Sequence, residues 1–128
     1  ELVKSVFWIF KEKDIAPEEK LRLAMVGHIT SLVKSIDNVN VFISEMRYLS
    51  HKNRKKYDEI RKKYEIGLVR IIDEIKKRDG SLFRRMDSKI VAYGIFGMCN
   101  GVGRWYKKDG KLQAEEIANI FYRMIMAM

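Results

Sequence analysis

Residue types that do chemistry are few and scattered in this sequence. The chain contains two histidines, His28 and His51, and one cysteine, Cys99. The usual zinc centres need about four His, Cys or acidic ligands at short regular spacings, and this set is too small to build them. The sequence also lacks a nucleophile elbow, a zinc-protease motif and a phosphate-binding loop. These observations favour a protein with no metal, no cofactor and no enzymatic activity.

Two polar residues stand among apolar ones at helical spacing. His28 lies on the apolar stripe of a predicted helix, where a histidine is more often hydrogen-bonded in a core than in contact with a ligand. Glu45 neighbours Phe42 and Leu49 in the helical pattern and is expected to be partly buried, paired with a basic residue such as Arg47. We keep His28 as a candidate ligand contact and interpret Glu45 as structural.

Composition predicts one soluble domain. The chain has 128 residues, of which 47% are hydrophobic and 34% charged, and this length suffices for a single core. No apolar run approaches the roughly 18 residues of a membrane span. A single cysteine excludes an internal disulfide framework, so a cytoplasmic setting without a membrane partner is expected. Since the chain opens at Glu1 in the middle of a helical pattern, we expect it to be a fragment.

Positive charge is concentrated in the middle of the chain. The formal net charge is +9, and residues 47–85 hold fourteen Lys and Arg against six Asp and Glu. Such a surface attracts anions, whether nucleic acid, a membrane surface or a phosphorylated ligand. A solvated, lysine-rich helix face is the commoner explanation, and both interpretations remain open.

Apolar spacing predicts helices throughout, with no strand alternation. Pro17, followed by Glu18 and Glu19, is typical of a first helical turn. Asp87 is a plausible N-cap, and Asp79-Gly80 and Asp109-Gly110 are turn pairs. The predicted helices cover about 2–11, 17–36, 39–50, 51–78, 87–106 and 114–128. The fold class is therefore all-α, an antiparallel bundle of about six helices.

The helix over 87–106 is unusual because it contains four of the eight glycines within ten residues. Each glycine inside a helix costs about 0.5–1 kcal/mol relative to alanine. Gly94, Gly97 and Gly101 share one face, which Trp105 continues. This smooth stripe suits either a second helix packed very close or a ligand lying against the backbone.

Several short segments follow one another in a characteristic order: Phe42-Ile43-Ser44-Glu45-Met46-Arg47-Tyr48-Leu49, a long basic helix with Arg61 and Tyr64, Gly80-Ser81-Leu82-Phe83-Arg84, Asp87, Asn100 through Trp105-Tyr106, Asp109-Gly110 and Glu115-Glu116-Ile117-Ala118. This order resembles the C-terminal domain of TetR-family transcriptional regulators over about residues 17–128. It is most similar to the branch whose effectors are fatty-acyl or other acyl-coenzyme A thioesters. Gln113 departs from the Ser or Thr usual before the last helix.

The resemblance implies a domain arrangement and an allosteric function. Residues 1–11 would be the helix that links a missing N-terminal helix-turn-helix domain, and residues 12–128 the effector-binding and dimerisation domain. The last two long helices would form a four-helix bundle with a second copy. A small apolar or acyl-thioester effector would then alter operator binding by the attached helix-turn-helix. The resemblance implies that the regulator is a repressor. The alternative is a standalone helical ligand-binding or enzyme module with a basic surface.

Two sets of site residues follow from the patterns and the resemblance. The expected ligand pocket, elongated and apolar with Arg104 as a polar anchor at its mouth, is lined by Met25, His28, Leu32, Phe42, Met46, Tyr64, Leu68, Tyr93, Phe96, Asn100 and Arg104. The expected homodimer interface contains Gly94, Gly97, Gly101, Trp105, Ile117, Ile120, Phe121 and Met124. Operator DNA would be bound only through the absent N-terminal domain, because no element here presents side chains to base edges.

Overall fold

In the computed structural model, which describes residues 2–34 and 51–127, all regular secondary structure is α-helical. The five described helices are α1 (Leu2–Lys11), α2 (Pro17–Lys34), α3 (His51–Arg78), α4 (Ser88–Trp105) and α5 (Ala114–Met126). The predicted all-α class is thus confirmed. The helix predicted over 39–50 lies outside the described residues, and so do the predicted site residues Phe42 and Met46 and the carboxylate of Glu45.

Local sequence explains where the helices begin. Pro17 occupies the first position of α2, with Glu18 and Glu19 beside it in the first turn. The carboxylate of Asp87 accepts hydrogen bonds from the backbone N–H groups of Lys89 at 2.9 Å and Ile90 at 3.1 Å. The predicted N-cap of α4 is therefore confirmed, and it satisfies two of the donors that a helix start leaves open.

Two ion pairs join the start of α2 to the end of α3, as in an antiparallel pair. Lys20 near the start of α2 lies 3.9 Å from Glu74 near the end of α3. Glu18 lies 3.5 Å from Arg78, one turn further along α3. Lys20 is buried along its stem while its partner is more exposed, so its ammonium group reaches the surface. These contacts fix the register in which α2 crosses α3.

A tight turn reverses the chain between α3 and α4. The carboxylate of Asp79 accepts hydrogen bonds from the backbone N–H of Ser81 at 3.0 Å and from its hydroxyl at 2.6 Å. Phe83 has a φ of 56°, in the left-handed region that non-glycine residues avoid. Its side chain is buried in the core, and this burial offsets the backbone strain. Ser88 then donates to Asp73 at 2.5 Å, so α4 runs back along α3.

The core lies where α2 meets the other four described helices, and α1 contributes Val6 and Ile9 to it. It contains Leu21, Ala24, Met25, Ile29, Leu68, Ile72, Ile75, Ala92, Ile95, Val102, Ile117, Ala118 and Ile125. At its edge, Arg22 donates to Asn119 at 3.2 Å and so joins α2 to α5. None of the described helices is both long and apolar enough to cross a lipid bilayer.

Candidate functional site

His28 is held inside the bundle by one hydrogen bond at each ring nitrogen. Its Nε2 lies 2.8 Å from Asn100 Oδ1 on α4, and its Nδ1 lies 3.0 Å from the Tyr64 hydroxyl on α3. Because a carbonyl oxygen can only accept, Nε2 carries the proton in this arrangement. The hydroxyl of Tyr64 then donates to Nδ1. One buried imidazole therefore ties three helices together in a single neutral tautomer.

The protonation of this group is set by burial. Burial lowers the pKa of His28 below its usual range, and the hydrogen bond to Asn100 opposes this only in part. Burial likewise raises the pKa of the Tyr64 phenol well above its normal value, and it raises the pKa of the Cys99 thiol to about 12. Both ring nitrogens of His28 are already engaged, so neither is placed to activate the Cys99 thiol as a nucleophile.

Aromatic rings surround His28. The ring of Phe96 lies 5.1 Å from the imidazole and 5.6 Å from the ring of Tyr64. At the surface side, the guanidinium carbon of Arg61 lies 5.4 Å from the centre of the Phe96 ring, and Arg61 also pairs with Glu65 at 3.2 Å. We call His28, Tyr64, Phe96 and Asn100 the histidine cluster. It places aromatic rings beside hydrogen-bonding side chains, a combination that binding sites for small molecules also use.

The first helix touches the histidine cluster directly. The ring of Phe10 lies 5.8 Å from the ring of Tyr64. It also lies so close to Gly67 that a β-carbon there would fall 2.3 Å from it. Any larger residue at this position would force the Phe10 ring to shift from its place on α3. A displacement of the Tyr64 ring would change its contact with Phe10, so α1 packs against the cluster through these two rings.

The predicted ligand residues fall into three environments. Met25, His28, Tyr64 and Leu68 are buried, Leu32 and Phe96 are half-buried, and Tyr93, Asn100 and Arg104 are exposed. The structure brings His28, Tyr64, Phe96 and Asn100 into contact. Leu32 is packed beside Gly103, whose added β-carbon would lie 3.5 Å from it.

The glycine stripe of α4 faces away from the subunit. A β-carbon added at Gly94, Gly97 or Gly101 would meet no other atom within 4 Å, apart from its own helix backbone and chain neighbours. Beside the stripe, Trp105 is 54% exposed and Met124 of α5 is 55% exposed. We call these five residues the outer face. Within the described residues no neighbouring element covers it.

The predicted interface set is only partly on this surface. Trp105 contacts Phe121, with ring centres 6.5 Å apart, and Ile120 and Phe121 are half-buried. Ile117 is buried in this chain's own core, and so is Ile125, another apolar residue of α5. The reason is that α5 packs one full stripe against α2, so fewer of its apolar side chains remain for a partner.

A groove between α3 and α4 was not anticipated from the sequence. It has a volume of about 470 Å³, is open to solvent, and is lined by Lys62, Glu65, Ile66, Val69, Arg70, Asp73, Lys89 and Tyr93. Tyr93 alone belongs to the predicted ligand set. The sequence feature that could have indicated the groove is Ile66, an apolar residue among charged neighbours of α3. The structure leaves it 57% exposed.

Metal binding has no support in the described part of the chain. Over residues 2–34 and 51–127, no three His, Cys, Asp or Glu side chains converge as metal ligands would. The exposed cations of α3, among them Lys55, Lys56 and Lys63, instead form a solvated basic surface.

Comparison with known proteins assigns the family. The model for the tetracyclin repressor-like C-terminal domain matches residues 14–128. A sequence search of curated proteins found no match. The TetR-family transcriptional regulator PfmR from Thermus thermophilus has a TM-score of 0.76 at 27% identity, with 98% of this chain and 67% of that chain covered.

Two further solved structures share the fold. A TetR/AcrR-family regulator from Thermobifida fusca has a TM-score of 0.76 at 19% identity, covering 98% of this chain and 67% of that chain. AibR, solved in complex with isovaleryl coenzyme A and operator DNA, has a TM-score of 0.71 at 23% identity, covering 98% of this chain and 72% of that chain. This chain therefore belongs to the tetracyclin repressor-like C-terminal domain family, the ligand-sensing and dimerisation part of TetR-family transcriptional regulators.

Proposed function

We propose that this domain senses an acyl-coenzyme A thioester at the histidine cluster and forms a homodimer through the outer face. The effector then moves α1, which links the domain to an N-terminal helix-turn-helix. The separation of two recognition helices must match operator half-sites about 34 Å apart. An effector that binds one separation more tightly than the other shifts the equilibrium between operator-bound and free regulator.

The observation that carries this proposal is the contact between Phe10 and Tyr64. The hydroxyl of Tyr64 bonds to His28, and the ring of Tyr64 supports Phe10 at 5.8 Å. A ligand that displaces Tyr64 or takes its place as a partner of His28 must therefore repack the end of α1. Coupling through packed side chains with two discrete arrangements is the ordinary physical basis of such switches.

The effector class is inferred from chemistry and from likeness. A thioester offers a carbonyl oxygen that Nε2 of His28 or the amide of Asn100 can bind, and a short acyl chain matches the aromatic lining of Phe96 and Tyr64. AibR, a structural neighbour at 23% identity, is solved with isovaleryl coenzyme A and operator DNA. This likeness supports the class and not the individual acyl group.

The outer face supports the homodimer. Trp105 and Met124 present apolar surface, and the glycines between them let another helix approach closely. Two-fold pairing of α4 and α5 with a second copy would bury this face in a four-helix bundle. Light scattering of this chain at tens of micromolar tests the pairing, and a monomer there would contradict it.

Calorimetric titration tests the effector. The chain should bind isovaleryl coenzyme A more tightly than coenzyme A or isovalerate alone, and Asn100→Leu should weaken the acyl-thioester without unfolding the chain. Trp8 on α1 is about half exposed, so in a Trp105→Phe variant its fluorescence reports movement of this helix. Binding of a neutral apolar compound with no response to any acyl-thioester would contradict the effector class.

A further inference from the structure

We propose that the α3–α4 groove binds the phosphate-bearing nucleotide portion of a coenzyme A-type effector. This inference rests on the proposed function and names a second part of its site, outside the histidine cluster. The sequence pattern instead pointed to Arg104 as the polar anchor, so the two positions make different and separable predictions.

The first argument is the charge that remains in the groove. Lys62, Arg70 and Lys89 line it together with Glu65 and Asp73. Both carboxylates already have partners, since Glu65 pairs with Arg61 at 3.2 Å and Asp73 accepts from Ser88 at 2.5 Å. Arg61 offsets the charge of Glu65, whereas Asp73 keeps its charge because the Ser88 hydroxyl is neutral. The three groove cations therefore outnumber the one carboxylate whose charge is not offset, and the groove favours an anion.

The second argument is the distribution of this charge. Lys62 and Arg70 are eight residues apart on one helix, which corresponds to about 12 Å along its axis. A molecule with two separated phosphate groups can meet both cations without the two side chains having to converge on one point. Lys89 approaches from α4 across the groove. The spacing thus fits an elongated polyanion better than a single small anion.

The third argument is the apolar floor. Ile66 is 57% exposed and Tyr93 is 42% exposed, and both line the groove with Val69. Lys89 lies over the ring of Tyr93, its Nζ 6.0 Å from the ring centre. An exposed tyrosine beside cations is a typical platform for a planar nucleobase whose phosphates meet the charges. A purely inorganic or aliphatic anion would leave this floor unused.

The fourth argument is continuity with the histidine cluster. Arg61 lies over Phe96 and pairs with Glu65 of the groove, so one side chain borders both sites. Tyr93 of the groove stands one helical turn before Phe96 on α4. A ligand with its nucleotide in the groove therefore directs its other end towards Arg61 and Phe96. That is the direction an acyl-pantetheine arm must take to reach His28.

The test is a calorimetric titration of this chain with isovaleryl coenzyme A, coenzyme A, adenosine 3′,5′-bisphosphate and inorganic phosphate. Lys62→Gln and Arg70→Gln should each weaken coenzyme A binding about tenfold, the usual scale for one charge-assisted contact. Tyr93→Leu should weaken it about fivefold by loss of stacking. Lys63→Gln is the matched control, because it removes the same charge from the adjacent residue outside the groove.

The outcomes separate this inference from the proposed function. Tight binding of isovaleryl coenzyme A that is unchanged by all three groove variants would overturn the groove and leave the effector class intact. A loss confined to Arg104→Gln would do the same and support the other anchor. Binding of coenzyme A through the groove with no gain from the acyl group would support the groove and overturn acyl sensing. No binding of any coenzyme A species would overturn both.

Discussion

Gly67 of α3 and Gly97 of α4 are both glycines inside long helices, yet they are there for opposite reasons. A β-carbon at Gly67 would lie 2.3 Å from the ring of Phe10, whereas one at Gly97 would meet no packed neighbour within 4 Å. Gly67 is explained within the subunit, because α1 must approach α3 closely. Among the described residues Gly97 has no such explanation for its helix-destabilising cost of about 0.5–1 kcal/mol, and this bare position is the one that we propose a second copy covers.

This contrast separates the side of the domain that we propose for sensing from the side that we propose for assembly. The sensing side, around Phe10, Tyr64 and His28, is closely packed, so a small displacement there would be passed on to α1. The assembly side, along the outer face, is bare and apolar, and its function depends on what comes to cover it. Substitutions on the two sides should therefore change different observables.

Gly67→Leu should produce the largest effect. Four added carbons cannot fit beside the Phe10 ring, so we expect a loss of about 3 kcal/mol or more in the free energy of unfolding. Urea denaturation followed by circular dichroism measures this loss. Combining the substitution with Phe10→Ala should recover part of it, because the clash partner is gone. Equal destabilisation in the single and double variants would show that the close approach of α1 is not the cause.

Gly97→Leu should instead leave the fold of the subunit intact and oppose dimerisation. We expect at least a hundredfold rise in the dimer dissociation constant, since the side chain blocks a close helix–helix approach. Light scattering over a concentration series is the measurement. Lys77→Leu, which adds the same side chain at an exposed position of α3, is the control. A dimer that tolerates leucine at Gly97 would place the interface elsewhere.

The pH dependence of stability should report the burial of His28. Its pKa is lowered by burial, so between that value and about 6.5 the unfolded chain binds more protons than the native one. Stability should therefore fall as pH decreases below about 6.5, by at most about 1.4 kcal/mol per pH unit, and level off above about pH 7.5.

Chemical denaturation between about pH 5 and 7.5 checks this expectation. Glu19 and Asp79 also have lowered pKa values, but they titrate below this window. His28→Gln, which keeps a hydrogen-bonding side chain, should flatten the profile. An unchanged slope in that variant would assign the pH dependence to another group.

The smallest change in the free energy of unfolding should come from alanine substitutions at Gly67 and Gly97. Gly97→Ala should stabilise an isolated subunit by about 0.5–1 kcal/mol through helix propensity, because nothing in the subunit opposes the methyl group. Gly67→Ala should destabilise it by about 1 kcal/mol, because the clash outweighs that gain. Urea unfolding at nanomolar protein, followed by tryptophan fluorescence, limits any contribution from a dimer. Changes of the same sign at both positions would remove the distinction between the two sides.

Much of the fold was predictable because its signals are local. The Asp87 cap, the Pro17 start and the turn at Asp79-Gly80 each depend on residues adjacent in sequence. The histidine cluster was predictable only as a set of candidates. Nothing local relates His28 to Asn100, 72 residues away, although helical spacing placed both on plausible faces.

The remaining features depend on how the helices pack. The sequence cannot indicate whether Ile117 and Ile125 face their own core or a partner, because one amphipathic stripe serves either use. It also cannot reveal the α3–α4 groove, whose net charge depends on which cations line it and on Glu65 being paired with Arg61.

By itself, then, the sequence determined the helical class, the approximate boundaries of the described helices and the unusual glycine content of α4. It did so because hydrophobic period, caps and turn residues act over a few positions. Tertiary structure alone decided which glycine is enclosed and which is bare, and which cations remain available to an anion. Those properties belong to pairs of helices, and pairing is a long-range outcome of packing that no single segment specifies.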